Sequence, residues 1–313
     1  MQQTAPKTLT QDMIWIQGGT FLMGSDRHYP EEAPARRVQV DGFWMDAHTI
    51  TNAQFAAFVG ATHYVTIAER ALDPRLYPGA KPELLVPGSL VFHMTQTRVN
   101  LRDVTQWWSY VPGACWHHPE GPGSHLRGRE QHPVVQVAYE DAASYAQWAG
   151  KDLPTEAEWE FASRGGREGA EFVWGDEFNP NGQWMANTWQ GEFPWANSAS
   201  DGFVGTAPVG SYPPNDYGLY DMAGNVWQWT SDWYATRDPA PSAKTCCIPH
   251  NPRGGTLQAS FESSKIQIPR KIVKGGSFLC SPNFCRRYRP AARHAQMIDS
   301  GMSHVGFRCI RRG

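Results

Sequence analysis

The chain has 313 residues, of which 41% are hydrophobic and 19% charged, so it can bury one large core or two ordinary ones. Its net charge of −2 gives no electrostatic reason to expect a nucleic acid or an anionic membrane as partner, and it has no apolar run long enough to cross a bilayer. The 30 glycines, 24 prolines and 14 tryptophans indicate irregular backbone held by large aromatic side chains.

The first part of the chain predicts short elements after a polar tail. Residues 1–12 lack the apolar core of a signal peptide, and we expect them to be extended or disordered. Residues 13–24 predict two strands around a Gly-Gly turn, as in a hairpin. Alternating polar and apolar residues over 37–45 predict one half-buried strand, and Thr51 begins a capping box that predicts a helix.

A long excursion follows, over residues 69–106, where prolines interrupt every helical pattern and only residues 89–94 predict a strand. A surface loop is otherwise expected. His117, His118 and Glu120 come after it. Adjacent histidines point in different directions from a strand or helix, so we interpret this group as structural rather than metal-binding. Cys115 has no motif partner and is interpreted as a buried apolar side chain.

The middle of the chain predicts two helices. Residues 140–149 form an amphipathic pattern that ends at Gly150, a residue suited to a helix C-terminus. Residues 154–162 form a second, with a capping box that begins at Thr155. No linker, repeat or low-complexity tract separates these segments, so residues 13–313 are expected to form a single domain.

Two regions rich in oxygen ligands and glycine come next. The first pairs residues 187–194 with 201–203, and the second covers residues 221–229. Calcium binds six to eight oxygens, many of them loop carbonyls, and such loops supply them. Ordinary turns with side-chain hydrogen bonds have the same composition. Composition alone therefore leaves both interpretations open.

The most reactive group of residues lies near the C-terminus. Cys280 and Cys285 are five positions apart, after a Gly-Gly-Ser turn and before Arg286, Arg287 and Arg289. The arginines raise the local positive potential, which favours thiolate over thiol. A pair of thiolates suits a soft metal ion such as copper(I), whereas a closed zinc site requires four ligands. The spacing alone also permits a small-loop disulfide or two buried structural thiols.

The run from Lys274 to Arg293, together with residues 303–309, resembles the active-site segment of the formylglycine-generating enzyme family, the sulfatase-modifying factors. Residues 148–160 resemble a second family segment, which members with other functions share. The resemblance implies an α+β fold in a single loop-rich domain, a variant of the C-type lectin fold with little regular secondary structure.

The resemblance also implies an activity, namely oxidation of one cysteine of a client sulfatase to Cα-formylglycine with O2 as co-substrate. Cys280 and Cys285 would bind the copper(I) cofactor and act as the catalytic pair. Ser277 would orient the client cysteine or an oxygen species, and Trp227 would form a wall of the site. The partner would be an unfolded sulfatase segment that carries C-x-P-x-R, and the enzyme is expected to be a monomer that binds no nucleic acid or membrane.

Two structural calcium ions are implied in the same way. The ligands carried over to the first site are Asn187, Thr188, Asp201 and Phe203, and those of the second are Asp221, Gly224, Val226 and Gln228. In the second set, Asp221 and Gln228 replace the asparagine and glutamate of better-known members. One carboxylate is gained and one is lost, so the formal ligand charge is conserved.

The remaining cysteines bear on the compartment. Secreted members of the family have two structural disulfides, whereas three of those four positions are Ala146, Ser163 and Pro290 here, and only Cys309 is present. We therefore predict no structural disulfide and a cytoplasmic location. The adjacent cysteines at 246–247 are expected to be buried thiols, because adjacent cysteines bridge only with strain.

Two alternatives share the fold but not the activity. A non-catalytic paralogue that only binds sulfatases, or another binding domain of this fold, would not need the cysteine pair, which is present. A non-haem iron sulfoxide synthase of the superfamily would need an H-x3-H-x-E motif, which the sequence lacks. The formylglycine-generating activity is therefore the leading expectation.

Overall fold

A computed structural model describes residues 12–81, 84–237, 248–262 and 268–313. Most of the predicted N-terminal tail, and the adjacent Cys246 and Cys247, lie outside the described residues. Within the described ranges there are three helices and eleven strands, connected by long loops and short 3-10 turns. None of the helices in these ranges is long and apolar enough to span a membrane.

The helices and strands are short. The helices are α1 (Asn52–Thr62), α2 (Tyr139–Trp148) and α3 (Glu156–Arg164). The strands are β1 (Met13–Ile16), β2 (Gly19–Met23), β3 (Arg36–Val40), β4 (Phe43–Asp46), β5 (Gly88–Phe92), β6 (Trp108–Pro112), β7 (Trp227–Trp233), β8 (Arg270–Lys274), β9 (Arg293–Met297), β10 (Val305–Gly306) and β11 (Ile310–Arg312). This loop-rich mixture of helix and strand confirms the predicted α+β class.

Two sheets organise the domain. One has the strand order β1-β4-β11 and joins the two ends of the described chain. The other has the order β10-β7-β8-β9, in which β10 pairs parallel to β7 and the remaining pairs are antiparallel. The pairs β2-β3 and β5-β6 form separate two-stranded ribbons. β8, in the four-stranded sheet, ends at Lys274 and leads directly into residues 275–287, the cysteine segment, which contains Cys280 and Cys285.

The N-terminal hairpin prediction is wrong in its pairing. β1 pairs with β4, whereas β2 pairs with β3, so β1 and β2 belong to different sheets. The predicted single strand over 37–45 is likewise two strands, separated at Asp41 and Gly42. A Cβ atom at Gly18 would lie 2.5 Å from the carbonyl carbon of Asp41, so the two turns pack directly on each other. At each of these turns, between β1 and β2 and between β3 and β4, the chain passes from one sheet to the other.

The helix boundaries follow the predicted caps. Thr51 and Gln54 make a reciprocal capping box at the start of α1, and Thr155 and Glu158 make another at the start of α3. Gly165 ends α3 in the left-handed conformation, with a φ of 56°. These local signals are confirmed because each depends on neighbouring residues and not on tertiary pairing.

The excursion is more than a surface loop. Its strand β5 pairs with β6, and Phe92, Val99 and Leu101 pack against a second apolar cluster. That cluster consists of Trp107, Trp189, Phe193, Phe278 and Leu279 and is separate from the main core. The excursion therefore packs over residues that flank the cysteine segment.

A buried network of charges joins α3 to β8. Lys274 and Glu160 are both 0% exposed, and the Lys274 Nζ atom lies 3.1 Å from Glu160 Oε2. The other oxygen, Glu160 Oε1, accepts a hydrogen bond of 2.7 Å from Arg164. Burial raises the pKa of Glu160, but Lys274 and Arg164 outweigh it and hold that pKa at about 2. The carboxylate is therefore ionised at any physiological pH.

We predict that Lys274→Met, which leaves the charge of Glu160 without its lysine partner, lowers the free energy of unfolding by about 3–5 kcal/mol. Glu168→Gln removes an exposed carboxylate that pairs with Arg37 and should change that energy by no more than about 0.5 kcal/mol. Urea unfolding followed by tryptophan fluorescence measures both variants. Equal effects of the two substitutions would contradict the role assigned to Lys274.

Candidate active site

The cysteine segment begins with a tight turn at the end of β8. Gly275 and Gly276 have φ angles of 94° and 71°, which residues with a Cβ atom rarely adopt. A Cβ atom on Gly276 would lie 2.9 Å from the carbonyl oxygen of Arg287. The turn therefore needs glycine, and it brings residues 277–280 against residues 285–287.

The two cysteine side chains meet at the end of this turn. The Cys280 and Cys285 Sγ atoms are 3.1 Å apart, well beyond a disulfide bond of about 2.05 Å. Cys280 is 1% exposed, whereas Cys285 is partly exposed. The Cys285 amide donates a hydrogen bond of 2.8 Å to the carbonyl oxygen of Ser281, which closes the loop between the cysteines. The pair can thus share one proton or one metal ion.

The two thiols differ in acidity. A hydrogen bond from Cys280, together with the nearby Arg287 guanidinium, lowers the pKa of Cys285 to about 7. Burial raises the pKa of Cys280 well above its usual value. We therefore interpret the pair at neutral pH as a Cys285 thiolate that accepts a hydrogen bond from the Cys280 thiol.

The arginines after the cysteines do not act together. Arg287 bonds to Glu31 at 2.6 Å and is the one that the Cys285 thiolate feels most strongly. Arg286 pairs with Glu171, and Arg289 makes a buried bidentate pair with Glu32. The prediction of a shared positive potential therefore holds for Arg287, whereas Arg286 and Arg289 are engaged by other carboxylates.

Both cysteines line a cavity of about 280 Å³. Its walls are mostly aromatic and come from Trp107, Trp108, Phe193, Trp227 and Phe284. Ser277 also lines it, and the Ser277 Oγ atom accepts a hydrogen bond of 3.2 Å from the amide of Leu279, so its hydroxyl can still donate to a ligand. Cys280, Cys285, Ser277 and Trp227, all predicted from the sequence, are thus brought to one cavity.

Two histidines that the sequence interpretation did not assign to the site also line this cavity. The His294 ring lies 5.7 Å from the Trp227 ring, and the His304 ring lies 4.8 Å from that of Trp108. Desolvation by the cavity walls lowers the pKa of both rings, although the His294 residue is exposed and His304 partly exposed, so both rings are neutral at neutral pH. His304 lies within the segment that resembles the family's active-site region and His294 directly follows its first part, but no local pattern assigned either ring to the cavity.

The first predicted calcium set is a compact group of oxygens. The Gln190 Nε2 atom lies 3.1 Å from the carbonyl oxygen of Thr188, 2.8 Å from its hydroxyl and 3.4 Å from Asp201 Oδ2. Asn187 Oδ1 is buried without a hydrogen-bond partner. The Phe203 amide donates to the other carboxylate oxygen of Asp201. Oxygens of the kind that a hard cation prefers thus surround the Gln190 amide.

The second predicted calcium set does not fit an ion in the same way. Gln228 Oε1 accepts from Trp159 and from Arg308, and its Nε2 donates to the carbonyl oxygen of Asp221. The Asp221 carboxylate accepts from Gly210. Arg308 already places a cation beside this loop, where it also donates to the Asp221 carbonyl. Because Gln228 Oε1 already accepts two hydrogen bonds, this side chain has no free oxygen to offer an ion. Gly224 and Val226 can offer only backbone oxygens.

All of the cysteines that the structure describes are free thiols. Cys115, Cys280, Cys285 and Cys309 form no disulfide in the part of the chain that the structure covers. Cys309 is fully buried, and Ala146, the position of its expected family partner, is also buried. The prediction for Cys246 and Cys247 stays a prediction.

Comparisons with known proteins agree on the family. Residues 1–313 match the family described as the sulfatase-modifying factor enzyme 1-like domain, FGE-sulfatase. The chain is 51% identical to the formylglycine-generating enzyme of Mycobacterium tuberculosis over 300 residues, which are 96% of this chain and 97% of that one. It is 36% identical to the inactive Cα-formylglycine-generating enzyme 2 of Mus musculus over 305 residues, which are 95% and 84% of the two chains.

Among solved structures, PvdO from Pseudomonas aeruginosa has a TM-score of 0.63 at 21% identity, over 96% of this chain and 94% of that one, which shows a shared fold. Fold and cavity thus define a domain of the sulfatase-modifying-factor type with a paired-thiol site. The chain belongs to the FGE-sulfatase family.

We predict that the alkylation rate of Cys285 rises with pH through an inflection near its pKa of about 7. Cys280→Ala removes the hydrogen bond that lowers this pKa, so the inflection should move to higher pH. Iodoacetamide labelling followed by peptide mass spectrometry measures both curves, and the buried Cys309 serves as the internal unreactive control. An inflection that is unchanged in Cys280→Ala would contradict the thiol–thiolate pair.

Proposed function

We propose that the chain is a formylglycine-generating oxidase, which converts one cysteine of a client sulfatase to Cα-formylglycine with dioxygen. The observation that carries this proposal is the Cys280–Cys285 pair, 3.1 Å apart at an aromatic cavity. Family membership and relatives that bear this enzyme's name support it. The proposed client segment is unfolded and carries C-x-P-x-R.

The cavity supports a client that enters as an extended strand. Its aromatic walls offer apolar contact to a peptide, and Phe284 is exposed at 36% where a ligand would meet the rim. A client thiol that reaches the cavity floor would lie near Ser277 and the two cysteines. The Ser277 hydroxyl is the neutral donor there, so we assign it to orienting the client sulfur.

Cys280 and Cys285 are the residues that would hold copper(I). Two sulfur ligands from one short loop, with Sγ atoms 3.1 Å apart, are the donor type that would hold this soft ion. When bound, copper(I) supplies a site that accepts a further thiolate and passes electrons to dioxygen. Its lowered pKa makes Cys285 the thiol that ionises more readily, whereas Cys280 must release its proton on binding.

The surrounding residues control charge and place hydrogen-bond acceptors. Arg287, held by Glu31, balances the negative charge that two thiolates bring into the cavity. His294 and His304 remain neutral because desolvation by the surrounding walls lowers the pKa of each, even though neither residue is buried from solvent. Their rings can accept a hydrogen bond from the client without adding positive charge. Trp227 packs on the His294 ring and Trp108 on the His304 ring, which fixes where these two acceptors lie.

The proposed reaction balances with dioxygen as the electron acceptor. The client –CH2–SH group loses two electrons and two protons to give a thioaldehyde. Water then hydrolyses this group to the formylglycine aldehyde and hydrogen sulfide. Dioxygen takes the two electrons and two protons as hydrogen peroxide, or goes on to water when a thiol reductant adds two more of each.

A cation at the first calcium set would support the sulfur site through the backbone. The Trp189 amide, next to Thr188, donates a hydrogen bond of 2.9 Å to the carbonyl oxygen of Cys280. Calcium bound by Asn187, Thr188 and Asp201 would therefore stiffen a loop that holds Cys280. We restrict the calcium proposal to this first set, because the second has its side chains engaged within the protein.

The absence of the family's disulfide positions supports a cytoplasmic enzyme, which we propose to act as a monomer.

We predict that Cys280→Ser and Cys285→Ser each lower copper(I) affinity and formylglycine formation by at least about 100-fold, because a hydroxyl is a hard donor that stays protonated at neutral pH. Anaerobic titration with a chromogenic copper(I) chelator measures the affinity, and mass spectrometry of a C-x-P-x-R peptide measures turnover. Cys309→Ala, which removes a buried thiol away from the cavity, is the matched control and should retain both properties per folded protein. Near-normal turnover by Cys280→Ser would refute the copper assignment and favour thiol–disulfide exchange at Cys285.

We also predict that calcium raises the melting temperature of the native chain. The free energy of unfolding should increase by about 2.7 kcal/mol when calcium is at 100 times its Kd. Asp201→Asn should abolish most of that gain, because it removes the one charged ligand of the first set. Asp216→Asn removes an exposed carboxylate that pairs with Arg167 and should keep the gain. Thermal unfolding with calcium and with a chelator measures all three proteins, and an equal calcium response in Asp201→Asn would exclude this site.

A further inference from the structure

A second group of metal-binding residues lies at the base of the excursion, away from the sulfur pair. Glu69, Cys115 and His117 each direct one ligand atom toward the others, and these atoms lie within 4.8 Å of one another. The Cys115 Sγ atom is 3.5 Å from His117 Nδ1, and that nitrogen is 3.9 Å from Glu69 Oε1. The sequence indicated no partner for Cys115, because Glu69 is the first residue of the excursion and lies far from Cys115 along the chain.

The backbone fixes two of these ligands in one turn. The Cys115 amide donates to the His118 carbonyl oxygen, and the His118 amide donates back to that of Cys115, each at 3.1 Å. This short turn places Cys115 and His117 near each other. Trp116, between them, is buried against the Phe55 ring at 5.3 Å, so the turn is anchored in the main core.

The third ligand is oriented by its own helix cap. Glu69 ends a 3-10 turn, and its Oε2 atom accepts hydrogen bonds from the Thr66 amide at 3.1 Å and the Thr66 hydroxyl at 2.6 Å. The other oxygen, Oε1, is the one that faces His117. Hydrogen bonds of this kind, outside the ligand shell, are what orient carboxylate ligands in metal sites.

The neighbouring polar groups are engaged elsewhere. His118 Nδ1 lies 2.6 Å from the Ser124 carbonyl oxygen, and Glu120 makes a bidentate pair with Arg129 at 2.6 and 2.9 Å. The group considered from the sequence, with His118 and Glu120 beside His117, is therefore not the one that forms.

We propose that Glu69, Cys115 and His117 bind a divalent metal ion of the zinc class, with water as the fourth ligand. One sulfur, one imidazole nitrogen and one carboxylate oxygen are all ligands that Zn²⁺ accepts, and three protein ligands with one open position is a known zinc arrangement. Cys115 is 4% exposed, whereas the His117 and Glu69 side chains are 39% and 27% exposed, so the group has a buried side and a side open to solvent.

The distances need only a small adjustment. Zinc bonds of about 2.0 to 2.3 Å in a tetrahedron put ligand atoms about 3.5 Å apart. The sulfur–nitrogen distance of 3.5 Å already has this value, and the nitrogen–carboxylate distance of 3.9 Å exceeds it by about 0.4 Å. Burial lowers the pKa of His117, which favours the neutral ring that a metal needs, and raises that of Cys115, so metal binding must displace the thiol proton.

Such an ion would fasten the two ends of the excursion. Glu69 lies at its start, and Cys115 and His117 follow β6, just beyond its end. Between them lie Trp107 and Trp108, which line the cavity of the sulfur pair. A metal here would stabilise that wall by closing a long loop, without touching Cys280 or Cys285.

The test uses Zn²⁺ and Co²⁺ with the full chain in a Cys280→Ser/Cys285→Ser background, so that the sulfur pair cannot bind metal. We expect one Zn²⁺ per chain by calorimetry, a higher melting temperature with Zn²⁺, and a thiolate-to-metal absorption band with Co²⁺. Adding Glu69→Gln should weaken Zn²⁺ binding at least about tenfold. Glutamine can retain the cap to Thr66, so this variant tests the ligand and not the turn.

Cys115→Ser should abolish the Co²⁺ absorption band, and His117→Asn should weaken Zn²⁺ binding as Glu69→Gln does. Glu120→Gln, which removes a nearby carboxylate paired with Arg129, is the control and should bind Zn²⁺ like its parent. The proposal is overturned if the parent binds no Zn²⁺, or if it binds Zn²⁺ equally well after Glu69→Gln and His117→Asn. Because both of those side chains are partly exposed, the outcome does not depend on how well Cys115→Ser folds.

Discussion

The structure depends most on the buried charge of Lys274. This lysine is the last residue of β8, and Glu160 of α3 holds it inside the core. Either charge alone would be strongly unfavourable there, so the strand and the helix are held in one relative position. The same carboxylate accepts a hydrogen bond of 2.7 Å from the Gly24 amide, which ties the N-terminal loop to the pair. The glycine turn that leads to the cysteines therefore starts from a fixed point.

A second layer of carboxylates sets the electrostatics of the thiols. Glu31 and Glu32 follow the loop that Gly24 begins, and they bind Arg287 and Arg289 respectively. Arg287 in turn helps to lower the pKa of Cys285. The distant N-terminal segment thus holds in place the guanidinium that, after the hydrogen bond from Cys280, helps to lower this pKa. Burying so many ions costs stability, and the result is one ionised thiol in an aromatic cavity.

Local patterns explain what could be predicted from the sequence. The cap at Thr155 and the Cys280–Cys285 pair depend on neighbouring residues, and the resemblance to a known family supplied the fold. Contacts between segments that lie far apart in the chain could not be predicted from local sequence patterns. The strands around Gly18 belong to different sheets because two turns pack together, and Glu69 meets Cys115 only because the excursion folds back. The use of Gln228 by Trp159 and Arg308 was also invisible in a pattern that matched a calcium loop.

The most direct test of the central claim is to load the native chain anaerobically with one equivalent of copper(I), add a C-x-P-x-R peptide, and then admit dioxygen. Mass spectrometry of the peptide should show conversion of its cysteine to the aldehyde, with no conversion before dioxygen enters or when a tight copper(I) chelator is present. If the peptide binds but stays a thiol under all conditions, the chain is a binding paralogue. If conversion proceeds equally well with the chelator, the sulfur pair acts without copper.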